Sequence, residues 1–151
     1  MKEVWHHCLI WMKRRWKLLV VLACAGSLLA AYPTFVLGYT WIKVLQADLP
    51  GGRNGPLDAY RHTLASAVVS YSLNEGAVQW VSKTMERDHL YSNRMDRHNN
   101  RIGASIGQGV KRFGELAPTV AKQVAKGKVM ATDVGQTTWL PKQLWRDEKM
   151  W

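Results

Sequence analysis

The order of apolar and polar positions divides the chain into one unbroken apolar run and a set of segments with the 3.6-residue period of amphipathic helices. Over 18–42, LLVVLACAGSLLAAYPTFVLGYTWI, no charged residue appears, and a membrane span needs roughly 20 predominantly apolar residues. Pro33 lies inside that run, where a spanning helix tolerates proline better than a soluble one does. Next comes Pro50-Gly51-Gly52-Arg53-Asn54-Gly55, a breaker cluster that reads as a linker. A first amphipathic helix is predicted over 56–73, with Pro56 in the first turn, where its missing N–H costs nothing. Asn74-Glu75-Gly76 ends it. A second helix is predicted over about 77–87 and, after a loop from His89 to Asn93, a third over about 94–113. Ala117-Pro118 opens a short fourth, whose Val120 and Val124 are spaced four apart. No stretch alternates in the manner of a strand. The expected fold is all-α: a single N-terminal transmembrane helix followed by a small helical domain of about four helices. Its parts are a basic interfacial segment (1–17), a signal anchor (18–42), a linker (43–55), the helical domain (56–126) and a Trp-rich tail (127–151).

Charge gives the anchor a direction. Lys13 to Lys17, KRRWK, precedes the apolar run, and dense positive charge beside a first span keeps that end in the cytoplasm. The expected location is the bacterial inner membrane, N-terminus cytoplasmic and C-terminal domain periplasmic. A cleavable signal fits less well, because its apolar region is about 7–15 residues long and Leu28-Leu29-Ala30-Ala31 is a poor cleavage site. Val21-Leu22-Ala23-Cys24 is a weak lipoprotein-type sequence, and the apolar run continues past Cys24. The formal net charge of the 151 residues is +10, which points to an anionic partner, lipid headgroups or nucleic acid. Nucleic acid is discounted, since the basic face of Arg94, Arg97, His98 and Arg101 has no aromatic residues interleaved with it. Membrane lipid is the favoured partner. Both cysteines, Cys8 and Cys24, lie before or inside the span. The external domain therefore has no disulfide, no thiolate nucleophile and no cysteine-zinc site. Trp5, His6, His7 and Trp11 suit the headgroup layer. Trp139, Trp145 and Trp151, with Lys142, Arg146 and Lys149, either return to the membrane surface or cover the core of the domain.

Candidate chemistry comes from polar residues on apolar faces. In the first domain helix Leu57, Tyr60, Leu64, Val68 and Tyr71 form a stripe that contains Arg61, with Asp58 and His62 on its edge beside Ala65 and Val69. Arg is seldom buried unpaired, and Asp58, three residues earlier, is its natural partner. In the third helix Met95, Ile102, Ile106 and Val110 enclose Asn99, with Asp96 and Gly103 alongside. Gly103 and Gly107 allow another backbone to come close, and Ala65 and Ser66 are small in the matching way. If these helices pack together, Asp58, Arg61, His62, Asp96 and Asn99 converge on one polar site. The second helix offers Glu86, near the edge of a Val78, Val81 and Met85 face, and His89 follows. Each residue taken singly has an ordinary explanation: a salt bridge for Asp58–Arg61, an idle half-exposed His62, capping or interhelical bonds for Asn99 and Asn100.

The pattern Asp58-Ala59-Tyr60-Arg61-His62, then Met95-Asp96-Arg97-His98-Asn99-Asn100-Arg101-Ile102-Gly103, resembles a group of largely uncharacterised bacterial helical domains, some carried at the ends of secreted or polymorphic toxins. The resemblance spans roughly 56–109. It departs at Met85-Glu86-Arg87-Asp88-His89, where the family carries a His-Glu pair, and membrane anchoring is not typical of the toxin-borne members. The resemblance implies a shared site of hydrolytic type.

Together these residues lead us to expect a membrane-anchored hydrolase acting at the bilayer surface on an anionic lipid or lipid-linked phosphate. His62 would act as general acid or base, Asp58 would orient it or bind a metal, and Arg61 would hold a phosphoryl oxygen. Asp96, Asn99 and Asn100 would complete the site, with Glu86 and His89 as additional members. Two carboxylates with Asn side chains would favour a hard ion such as Mg²⁺ or Ca²⁺. The alternative is a non-enzymatic inner-membrane protein that binds a membrane-protein partner, as an inhibitor, an immunity or exclusion factor, or an assembly subunit.

Overall fold

The computed structural model describes residues 2–85 and 91–147; Glu86 and His89 lie outside the described residues. The fold is all-α with little strand. Its elements are α1 (Lys2–Gln46), α2 (Pro56–Ser72), α3 (Glu75–Met85), α4 (Tyr91–Gly109) and α5 (Leu116–Ala125), then β1 (Lys128–Val129) and β2 (Thr138–Trp139). Short 3₁₀ turns occur at Phe113–Glu115 and Lys142–Leu144. The chain divides into two compact units, Met1–Phe35 and Val36–Trp151.

In the first unit α1 runs through Pro33 without a break, and the Thr34 hydroxyl donates to the Ala30 carbonyl at 2.8 Å. Trp16, Leu18, Val21, Leu22 and Leu29 are all exposed. Over 18–35 the helix is about 27 Å long, close to the roughly 30 Å of bilayer hydrocarbon. One helix near the N-terminus is thus long and apolar enough to cross a membrane.

The second unit begins inside the expected span. The helix continues to Gln46 rather than ending at a linker over 43–55, because Val36, Thr40 and Val44, one face at fourfold spacing, are buried in the domain. Tyr39 packs on Phe113 at 4.8 Å between ring centroids. α2 is the central element, with Leu57, Ala59, Tyr60, Leu64, Ala67 and Val68 buried. Its first turn is capped by the preceding loop: the N–H groups of Leu57 and Asp58 donate to the carbonyls of Pro50 and Gly51 at 3.0 and 3.3 Å. That loop turns sharply at Gly51, φ +70°, where a Cβ would lie 2.8 Å from Gly55 Cα.

Helix α4 lies directly on α2. A Cβ at Gly103 would stand 2.2 Å from the Thr63 carbonyl oxygen, and one at Gly107 would stand 2.4 Å from that of Ala67. The close approach expected of these glycines is present, against Thr63, Ser66, Ala67 and Ser70 rather than Ala65. Hydrogen bonds tie the seam, from Ser70 Oγ to the Ala104 carbonyl at 2.8 Å and from Gln108 Nε2 to the Ser70 carbonyl at 2.9 Å. Helix α3 starts at Glu75, earlier than expected, because the Asn74 side chain accepts the Ala77 N–H at 3.0 Å and caps it. Val78 faces inward as expected, whereas Val81 is exposed beside Trp80. In α5 Leu116, Ala117, Val120 and Val124 are buried.

The segment expected as an irregular tail is part of the domain. β1 and β2 pair in parallel, Lys128 with Thr138 and Val129 with Trp139. Thr137 and Thr138 are buried. Trp139 closes over Gly127, and the Trp145 ring rests against Gly51 while its Nε1 donates to the Leu140 carbonyl. Of the two fates open to the tryptophans, Trp139 and Trp145 take the second and cover the domain; Trp151 lies outside the described residues.

Replacing Gly103 by Ala should force α2 and α4 apart, because the nearest obstacle is backbone. A loss of about 1–3 kcal/mol or more is expected in denaturant unfolding, while Gly109→Ala, with open space around its Cβ position, should leave stability nearly unchanged.

Candidate functional site

Helices α2 and α4, held at glycine-permitted distance, bring Asp58, Arg61, His62 and Asp96 together. Asp58 is the fixed point, with a side chain only 4% exposed. Its Oδ1 accepts from Arg61 Nη2, and its Oδ2 accepts the Asn54 backbone N–H. Asn54 can present that N–H because it adopts φ +63°, a left-handed conformation that Asn tolerates better than most residues. His62 follows one turn later, and its Nε2 lies 3.4 Å from Asp58 Oδ1. The same nitrogen lies 3.4 Å from Asp96 Oδ1 on α4. The imidazole therefore bridges two carboxylates from two helices.

The two carboxylates differ in their electrostatics. Burial would raise the pKa of Asp58, but the His62 hydrogen bond, the charges of His62 and Arg61, and the Asn54 N–H outweigh it and hold the pKa below the ordinary value. Asp96 has no such set of donors. Burial, aided by the Asp58 charge and opposed by His62, Arg61 and Arg53, pushes it up to about 6. Its Oδ1 is shielded from solvent and makes no hydrogen bond among the described residues. For His62 burial disfavours the charged form, yet the Asp58 hydrogen bond and the two carboxylate charges win and raise its pKa. The ring remains 28% exposed, so it is reachable from outside.

Arg61 points inward, as its place in the stripe predicts. Besides Asp58, its Nη1 donates to the Gly52 carbonyl at 3.3 Å, and its guanidinium lies over the Trp41 ring, 5.5 Å from the centroid. It therefore fastens α2, α1 and the 50–55 loop around the buried carboxylate.

The asparagines lie apart from this cluster's chemistry. Asn99 Nδ2 donates to the Thr138 carbonyl at 2.8 Å, and the Thr138 N–H donates to Asn99 Oδ1 at 2.9 Å. Both functions of that buried amide hold β2 in place. Asn100 Oδ1 accepts from Ser66 Oγ at 2.9 Å and its Nδ2 donates to Ser82 Oγ at 2.8 Å. It lines a cavity of about 370 Å³ between α3 and α4, with Lys83, Arg97 and Arg101, to which Asp58, His62 and Asp96 do not contribute. His98, expected on the solvated face, instead donates from Nε2 to the Gln136 carbonyl at 2.8 Å.

Arg53 was not singled out by the helical pattern because it sits in the breaker cluster. Its backbone pairs with Arg146, its side chain is exposed, and its charge reaches Asp96. A cation in a glycine-rich loop just before the helix that bears Asp58 was the available signal. Three side chains could hold a metal ion: donor atoms of Asp58, His62 and Asp96 all lie within 4.8 Å of one another.

Neither a protein-family model, nor a curated protein, nor a solved structure matches the chain.

The raised pKa of Asp96 makes a stability prediction. Its native state binds the proton more tightly than the unfolded chain, so stability conferred by that proton is present at low pH and is lost as pH rises through about 6. Asp96→Asn removes the titration. With chelator present, the stability of the variant relative to wild type should shift in its favour, by on the order of 1–3 kcal/mol between about pH 4 and 7. Urea unfolding at several pH values checks this; a difference independent of pH would contradict it.

Proposed function

We propose that the protein is a membrane-anchored hydrolase that acts on an anionic lipid or lipid-linked phosphate. The observation that carries this is the partly exposed His62 imidazole set between a buried, ionised Asp58 and a second carboxylate, Asp96, of raised pKa. A carboxylate that orients an imidazole, next to another kept close to neutrality, is the arrangement that general acid–base chemistry requires.

In this mechanism Asp58 fixes the ring of His62 and stabilises its protonated form. Neutral His62 takes a proton from water as the oxygen attacks the ester phosphorus or carbonyl carbon. The bond to the leaving oxygen breaks, and that oxygen takes a proton from Asp96 or from the imidazolium. Arg61 is a positioning residue, since Asp58, Gly52 and Trp41 engage its guanidinium. Binding of the anionic group falls instead to Arg53, the exposed cation nearest in effect to Asp96. Asn99 and Asn100 shape the scaffold. The N-terminal helix, with its cytoplasmic basic flank, would keep the domain on the periplasmic side within reach of lipid.

Lipid mass spectrometry on cells expressing wild type or His62→Ala at matched levels tests the proposal. Depletion of a phospholipid or polyprenyl-phosphate species by wild type alone is expected. With the substrate so identified, the purified variant should be roughly 10²–10⁴-fold slower. Arg53→Ala should raise KM with kcat nearly unchanged, the mark of lost ground-state binding. Because the base must be deprotonated and the His62 pKa is raised, kcat/KM should fall as pH drops through a value above the ordinary imidazole pKa of about 6.5. Identical lipid profiles for wild type and His62→Ala would remove the enzyme reading.

A further inference from the structure

We propose that Asp58, His62 and Asp96 form a binding site for one divalent transition-metal ion, of the Zn²⁺ or Mn²⁺ type. The inference rests on the hydrolase reading and its cluster but changes the roles within it: a bound ion would take the His62 Nε2 lone pair and the Asp96 carboxylate as ligands, and the ion would then supply the activation of water.

Geometry supplies the first reason. His62 Nε2 stands 3.4 Å from a carboxylate oxygen of Asp58 and 3.4 Å from one of Asp96, and all three donors fall within 4.8 Å of one another. Ligand atoms around an ion with bonds of about 2.1 Å are separated by roughly 3.0–3.5 Å when adjacent. Both donor pairs that involve His62 thus lie at ligand spacing before any ion enters.

Asp96 supplies the second. Its Oδ1 is fully shielded and, apart from His62 Nε2 at 3.4 Å, meets no hydrogen-bond donor among the described residues, although buried polar atoms are ordinarily satisfied. That oxygen faces His62 Nε2, so the orphaned lone pairs point into the cluster. Asp58 complements it: the Asn54 N–H holds Oδ2, and Arg61 donates to Oδ1, the oxygen that faces His62, and supporting hydrogen bonds of this kind orient the carboxylates of metal centres.

The donor types select the ion. An imidazole in the set disfavours Mg²⁺ and Ca²⁺, which take oxygen donors, and the amide oxygens of Asn99 and Asn100 already accept from the Thr138 N–H and the Ser66 hydroxyl. What remains is one imidazole and two carboxylates, a mixed set suited to Zn²⁺ or Mn²⁺. Three protein ligands leave coordination positions open to an outside molecule. With His62 neutral, the ion and Arg61 against two carboxylates leave a net positive site, suited to an anionic ligand.

The test uses the full chain in detergent micelles, stripped with chelator. His6→Gln, His7→Gln, Cys8→Ser and Cys24→Ser remove donors outside the cluster. Calorimetric titration with MnCl₂, ZnCl₂ and MgCl₂ should give one Mn²⁺ or Zn²⁺ per chain and at least tenfold weaker Mg²⁺. His62→Gln and Asp96→Asn should each weaken binding by tenfold or more. X-ray absorption of the zinc-loaded protein carrying those four replacements should show one imidazole among oxygen donors, a readout that needs no variant of the cluster to fold. Absence of binding by the parent, or unchanged affinity in both folded variants, would overturn the site. Tight binding without any lipid hydrolysis would remove the hydrolase reading and leave the metal site standing. Full hydrolysis by protein shown to be metal-free would do the reverse.

Discussion

The buried carboxylate of Asp58 is the constraint around which the rest of the domain is arranged. A charge removed from water is tolerated only when paired and hydrogen-bonded, and here the chain supplies partners from several directions. Arg61 and His62 come from the next turn of the same helix, and the Asn54 N–H from the preceding loop. Each partner is in turn fastened to something else. Arg61 reaches the Gly52 carbonyl and the Trp41 ring, and Asn54 meets both Leu140 N–H and the Leu144 carbonyl. Removing the carboxylate would therefore leave the half-buried Arg61 guanidinium without its counter-charge and loosen a loop, a helix and the C-terminal segment together.

The same network explains why the last described residues behave as domain and not as tail. Leu140 to Arg146 pack along the 51–54 loop, through the Leu140–Asn54 bond, the antiparallel bridge between Arg53 and Arg146, and the Trp145 ring on Gly51. Asn99 holds β2 from the other side. Truncation before Thr138 would unsatisfy a fully buried amide on α4. Such a deletion disturbs the fold whether the protein is an enzyme or a partner-binding protein, so it does not separate those two readings. His62, 28% exposed and outside the apolar core, does.

Helical period alone made much of this visible. The core stripe of α2 and the inward Arg61, the glycine seam of α4, and the meeting of Asp58, His62 and Asp96 all follow from placing residues at 100° intervals and asking which polar ones lack solvent. What stayed hidden was long-range. Nothing local in Asn99 says that its amide matches the backbone of Thr138, 39 positions later, so a buried Asn near a polar cluster reads as a site residue. Val36 and Thr40 sit in the charge-free run that reads as a membrane span, and only their burial in the domain, with Val44 one turn on, shows the second unit beginning there. Arg53 escaped because loops have no period to violate.

The positions of the two carboxylates carry the chemical consequence. Asp58 and His62 share one helix, so their spacing is set by α-helical geometry. Asp96 belongs to α4, so its distance from His62 depends on how closely the two helices approach. Gly103 and Gly107 set that approach, with backbone oxygens of α2 where side chains would otherwise stand. A wider crossing would let water reach Asp96 and return its pKa toward that of an ordinary carboxylate. The close seam instead leaves Asp96 desolvated, faced by His62, and short of hydrogen-bond donors. Two glycines of the helix seam therefore control whether the second carboxylate is a plain surface acid or a desolvated group whose pKa is pushed up to about 6.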